Sequence, residues 1–204
     1  MAFGKPGRPP EDLLLRKREI YVAVSPLIIA RGVRRLTMRE AAHAACLSVG
    51  GLYHYFPSKR DLVLHPLQPE SLMRLCDDFH GECEHFALTA PDRYLEVYLD
   101  FLAETAMFLR PAVWATLELG SEDFQMGVAL GMPMLLEEFT DLLRRALPDA
   151  SRRNLPALVT AIRRASIGAL LDKETTEASL RAELAALIRG HVRAEQPSLV
   201  AVRA

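Results

Sequence analysis

Two helix-start signatures, at Thr37 and Ser48, stand so close together that only about two turns of helix and a tight turn fit between them. Thr37-Met38-Arg39-Glu40 is a capping box, in which the Thr hydroxyl and the Glu carboxylate satisfy backbone N–H groups reciprocally. It predicts a short helix over about 38–45. Ser48 caps the next helix, which runs to Tyr55 and is stopped by Pro57. Ser58-Lys59-Arg60-Asp61 then opens a further one, to about His65. Two short helices joined in this way form a helix-turn-helix, whose second helix carries its N-terminal residues to base edges in the major groove.

The rest of the chain is helical as well. From Glu11 to Arg31, Leu13, Leu14, Ile20, Tyr21, Val24, Leu27 and Ile28 recur near the helical period, with Gly32 as a stop and Pro26 as a predicted kink. Beyond Pro66 and Pro69 the candidate helices are Glu70–Leu88, Asp92–Leu109, Pro111–Leu119, Met134–Leu147, Asn154–Leu171 and Glu177–Ala194. No β-branched run of period two persists, so the reading is an all-α protein: a three-helix headpiece with the helix-turn-helix, then a helical ligand-binding and dimerisation domain. The boundary is placed at residues 65 and 66, giving domains 1–65 and 66–204.

Charge divides at the same place. Residues 1–65 hold three Lys and eight Arg against five acids, +6, and the remainder holds 14 basic against 21 acidic residues, −7. A basic head on an acidic body implies a polyanion partner for one end only. Half of the residues are hydrophobic, ample for a packed core. The longest uncharged apolar run, Met126 to Leu136, is too short for a membrane span and is interrupted by Gly127, Gly131 and Pro133. The N-terminal stretch has no signal-peptide pattern, and three cysteines are too few for a disulfide framework, so no membrane association and a cytoplasmic location are expected.

Gly50 and Gly51 weaken the second helix of the motif in its first turn, by roughly 1 kcal/mol each relative to Ala in an interior turn and less at an end. One reason would be close approach of the backbone to a duplex, another relief of packing against the preceding helix. The stretch LTMREAAHAACLSVGGLYHYFPSKRDL, Leu36 to Leu62, resembles the TetR family of bacterial transcriptional regulators. The likeness covers about Glu11 to Val63. It implies an all-helical homodimer whose headpiece grips a double-stranded DNA operator and whose C-terminal domain binds a small molecule that releases it. Carried over by position, Thr37, Tyr53 and Lys59 would meet the DNA backbone. Val49, Gly50, Gly51 and His54 would face the groove behind the cap Ser48, with Arg39 nearby. Cys46 stands at the usual turn Gly and would have to hold a left-handed conformation costing about 1 kcal/mol or more, which leaves an altered turn open. The arm with Lys5 and Arg8 would lie in the adjacent minor groove or remain a solvated tail.

In the C-terminal part, Tyr98, Phe101, Met107, Trp114, Phe124 and Met126 are the candidate lining of an apolar effector pocket, with plain core as the alternative for each. Leu155, Val159, Ile162 and Ser166, with Leu184, Leu187 and Ile188, form apolar stripes on the last two helices, suited either to a twofold four-helix bundle or to the interior of one protomer. Cys76, His80 and Cys83 share one helix face, and a metal or thiol-redox sensor on the same scaffold is the alternative function; no metal is assigned. No nucleophile elbow, phosphate loop or zinc-protease motif is present, so neither an enzyme nor a cofactor is expected. The leading reading is a ligand-responsive repressor that binds a near-palindromic operator as a dimer and is released by an apolar small molecule.

Overall fold

A computed structural model describes residues 12–120, 140, 143, 144, 147 and 154–195. Every regular element among them is helical: α1 (Leu13–Arg31), α2 (Met38–Ala44), α3 (Val49–Tyr55), α4 (Lys59–Leu64), a 3-10 turn (His65–Leu67), α5 (Pro69–Thr89), α6 (Pro91–Leu119), α7 (Leu155–Leu171) and α8 (Glu177–Glu195). The basic arm with Arg8, the candidate pocket residues Phe124 and Met126, and most of the helix expected over Met134–Leu147 lie outside the described residues.

Capping sets the helix starts of the headpiece. Asp12 accepts from the Leu15 N–H, Thr37 from Glu40, Ser48 from Gly51 and Ser58 from Asp61, each satisfying a donor the first turn leaves open. Pro26 stands inside α1 without ending it. Its ring removes the N–H that would bond the Val22 carbonyl, and the Ser25 hydroxyl donates to that same oxygen at 2.9 Å.

Pro111 likewise lies inside a single long α6, where a break between two helices is expected from the sequence. Tertiary bonds on both sides of it explain the continuity. The Arg110 guanidinium donates to Ala169 O at 2.7 and 3.0 Å and to Thr175 O at 2.7 Å, while Trp114 Nε1 donates to Leu170 O at 2.7 Å. These donors also satisfy carbonyls that the C-terminus of α7 leaves open.

One hydrophobic core runs the length of the molecule, from Ile20, Leu52 and Leu62 in the headpiece through Phe79, Tyr98 and Leu102 to Leu158, Leu184 and Ile188. The 3-10 turn is buried within it, and α6 touches α1 and α4 on one side and α7 and α8 on the other. Residues 65 and 66 therefore fall at a packed joint.

Candidate nucleic-acid interface

The turn between α2 and α3 is a Schellman motif built on a cysteine. Leu47 N–H donates to Ala42 O at 2.8 Å and Cys46 N–H to His43 O at 3.1 Å, with Cys46 at φ +54°, the one described non-Gly residue at positive φ. Cys46 accepts the left-handed conformation and the turn keeps its hydrogen bonds. The cost of that conformation, about 1–2 kcal/mol for a residue with a Cβ, falls on stability.

The two glycines of α3 have different reasons. A Cβ on Gly51 would stand 3.1 Å from the Oγ of Ser48, the oxygen that caps the helix. Gly51 thus gives room to the cap. A Cβ on Gly50 would meet nothing within 4 Å. Among the described residues nothing calls for a glycine there. Around it Val49 is 40% and Tyr53 47% exposed, and His54 is exposed on the same short helix, while Leu52 anchors the opposite face in the core. Arg39, on α2, is also exposed.

Two residues assigned to phosphate contact carry internal duties. Thr37 is engaged in the capping box: its hydroxyl accepts from Glu40 N–H at 3.2 Å and donates to Glu40 Oε2 at 2.8 Å. The Thr37 hydroxyl and N–H, with the Arg31 guanidinium, hold the Glu40 carboxyl below its usual range. The Lys59 ammonium points inward and donates to Val33 O at 2.9 Å and Leu36 O at 3.0 Å, tying α4 to the loop after α1. It is a clamp, with one of its three donors left over. The sequence offered no signal for this, because both acceptors are backbone atoms of a distant loop. Exposed Arg34 and Arg35, on that loop, were not among the sequence candidates; the Arg34-Arg35 pair inside the basic headpiece was the signal available.

The same loop is gripped from the body. Glu118, near the end of α6, accepts from Val33 N–H at 2.8 Å and Arg34 N–H at 3.2 Å, and the Arg34 guanidinium donates to Glu118 O at 3.1 Å. Gly32 makes the seat: it lies at φ +75°, ψ 163°, and a Cβ there would stand 2.4 Å from Glu118 Oε1.

A family model described as bacterial regulatory proteins, tetR family, matches residues 20–65, the segment that holds α2, the turn, α3 and α4. Over those residues the chain is similar to the TetR family of bacterial regulatory proteins. A segment of 77 residues is 32% identical to the HTH-type transcriptional repressor KstR2 of Rhodococcus jostii, covering 38% of this chain and 35% of that repressor. The match thus spans about a third of the curated relative. Among solved structures, the TetR-family regulator PfmR of Thermus thermophilus superposes with a TM-score of 0.55 at 18% identity, over 83% of this chain and 97% of that one. The fatty acid degradation regulator FadR of Bacillus halodurans gives 0.56 at 16% identity, over 96% and 99%. At such identities these likenesses show the shared fold.

The helices beyond the headpiece redistribute the other candidates. Tyr98 is fully buried core, Met107 packs half-buried against it, and Trp114 ends α7 with Lys173 4.7 Å over its ring. Of the described residues among the six assigned to an effector pocket, Phe101 opens onto a cavity. Leu155, Ile162, Leu184 and Ile188, assigned to a dimer interface, are buried inside the protomer, and Val159, Ser166 and Leu187 are half-buried at their edge. The stripe left outside on α7 is Ile167 and Leu171, beside an open Gly168. Cys83 is 1% exposed in the core and Cys76 packs against it. Among the described residues no three His, Cys, Asp or Glu are arranged to hold a metal. Nor is any helix among them long and apolar enough to cross a membrane.

Proposed function

We propose that this chain is a ligand-responsive transcriptional repressor whose homodimer holds a near-palindromic operator and lets go when a small molecule occupies its body. The observation that carries the reading is the open side of α3. A helix that spends stability on Gly50, with none of the described residues within 4 Å of where its Cβ would stand, leaves its backbone free to lie against a duplex. Val49, Tyr53, His54 and Arg39 surround that approach, and the headpiece supplies the positive field.

Coupling has a physical route. Glu118 fastens the end of α6 to the loop ahead of α2, so a displacement of α6 by a ligand moves the helix-turn-helix with it. The KstR2 relative is a repressor by name, which supports negative regulation here. A second copy joins through the exposed Ile167, Gly168 and Leu171 stripe of α7 and sets the recognition helices one turn of DNA apart, about 34 Å. Cys83 lies within the core, where it acts as a small hydrophobe, which speaks against the metal or thiol sensor built on Cys76, His80 and Cys83.

The test is enrichment of genomic fragments by the purified chain, followed by Gly50→Leu on the recovered site. Folding should be unchanged, because the added side chain enters open space, while operator affinity falls by about tenfold or more. Affinity should also drop steeply with salt. Failure to recover any DNA, or an affinity indifferent to Gly50→Leu, would remove the proposal.

A further inference from the structure

The exposed arc of α3 carries Val49, Gly50, Tyr53 and His54, opposite the buried Leu52. Helical spacing orders that arc: Val49 and Tyr53, four residues apart, form one edge, Gly50 lies next to them, and His54 forms the other edge. The polar groups of the arc stand towards its end, the Tyr53 hydroxyl and the His54 ring, which meets Tyr55 edge-on with centroids 5.2 Å apart. The leading turn is apolar by contrast. The Ser48 hydroxyl is engaged as the cap, accepting from Gly51 N–H at 3.0 Å. Val49 then presents two methyl groups, and the residue is 40% exposed, while Gly50 presents no side chain and has none of the described residues within 4 Å of where a Cβ would stand.

Base pairs facing a methyl-lined turn are not equivalent. In the major groove guanine, adenine and cytosine present donors and acceptors, which lose water without replacement when an isopropyl group covers them. Thymine adds an apolar group, its C5-methyl. Carbon against carbon at that point removes apolar surface of both partners from water. The open Gly50 serves the same contact, because a side chain beside Val49 would hold the turn away from the base edges. Helix propensity does not explain the valine, whose branching at Cβ restricts its rotamers in a helix.

We propose that Val49 is a specificity-determining residue and selects, in each half-site, one thymine by its C5-methyl group. Selection works in both directions. The thymine methyl gains apolar contact, and any other base at that position has its donors and acceptors stripped of water beneath the valine. This deepens the repressor reading and rests on it: it names the feature of the operator that the leading turn of α3 recognises.

The experiment takes the site recovered by genomic enrichment and replaces each thymine in turn by deoxyuridine, which removes the methyl group and keeps the base pairing. Affinity of the full chain is read by fluorescence anisotropy. One position in each half-site should weaken binding about fourfold, and the two together about fifteenfold. The native protein is used throughout this arm, so no folding defect enters it. In Val49→Ala the thymine site should weaken by a similar factor, and uracil at that position should have no further effect. His54→Ala should leave the uracil effect at full size. An operator indifferent to uracil at every position overturns the proposal. A uracil effect that persists in Val49→Ala, or one that disappears in His54→Ala, does the same. Failure to recover any DNA removes the repressor reading and this inference with it, whereas a recovered site without a methyl-dependent position removes this inference alone.

Discussion

Replacing Gly32 by Ala should destabilise the protein by two routes, one of which vanishes when Glu118 is also removed. The backbone at Gly32, φ +75° and ψ 163°, lies in a region open almost only to glycine, and a side chain there costs about 1–3 kcal/mol. The new Cβ would also stand 2.4 Å from Glu118 Oε1 and must push the carboxylate off its seat. That carboxylate accepts two N–H bonds, at 2.8 and 3.2 Å, from Val33 and Arg34. Charge-assisted bonds contribute about 1.5–3 kcal/mol each when dry. Glu118 is only half-buried, so water replaces part of what is lost, leaving about 1–2 kcal/mol for the pair together. Gly32→Ala should therefore cost roughly 2–5 kcal/mol in the native background but only about 1–3 kcal/mol in Glu118→Ala, a coupling of about 1–2 kcal/mol. Urea unfolding of the four proteins of this cycle measures it, and for a chain of this size each kcal/mol also moves the melting temperature by about 2–4 °C. Effects that add within about 0.5 kcal/mol would mean that Glu118 does not sit on Gly32 in solution.

Four further outcomes follow from individual contacts. Lys59→Met removes the ammonium that bridges Val33 O and Leu36 O, and thermal unfolding without DNA should show a loss of about 1–2 kcal/mol; an unchanged melting temperature would return Lys59 to a purely external role. Cys46→Gly relieves the +54° dihedral and should raise stability by about 0.5–1 kcal/mol in denaturant midpoints, with lowered stability contradicting the Schellman turn. Burial, reinforced by the charge of Lys17, pushes His65 down from 6.5 to about 4. The folded state therefore keeps the ring neutral while the unfolded chain takes up a proton, so stability present above pH 6.5 declines as pH falls towards 4, by about 1.4 kcal/mol per pH unit at most. Compared with His65→Leu, the native chain should lose ground between pH 7 and 5 in urea midpoints; a constant gap would show His65 already accessible to protons. Ile167→Asp should turn a dimer into a monomer in sedimentation while leaving the fold intact, whereas Leu184→Ala should cost about 2–5 kcal/mol by opening the protomer core; a dimer that persists in Ile167→Asp would place the interface elsewhere.

Local chemistry made the headpiece legible before any coordinates. Caps at Thr37, Ser48 and Ser58 act on N–H groups three residues away, so residue type and spacing alone locate the helices and the tight turn between α2 and α3. The hydrophobic period made the long helices visible for the same reason. Where the reading changed, the deciding atoms were far off in sequence. Pro111 reads as a helix break until Arg110 and Trp114 reach across to α7. The stripes of Leu155 and Leu184 are equally apolar whether they face a partner or their own core, and only packing chose the core. Lys59 looks like a surface cation until a distant loop presents two carbonyls to it. Gly50 and Gly51 are identical letters; one gives room to Ser48, the other faces empty space, and that difference belongs to the third dimension. Periodicity and capping are short-range and so are written in the chain. Which face is inside, and which charge is paired, is settled when segments far apart come to share one volume.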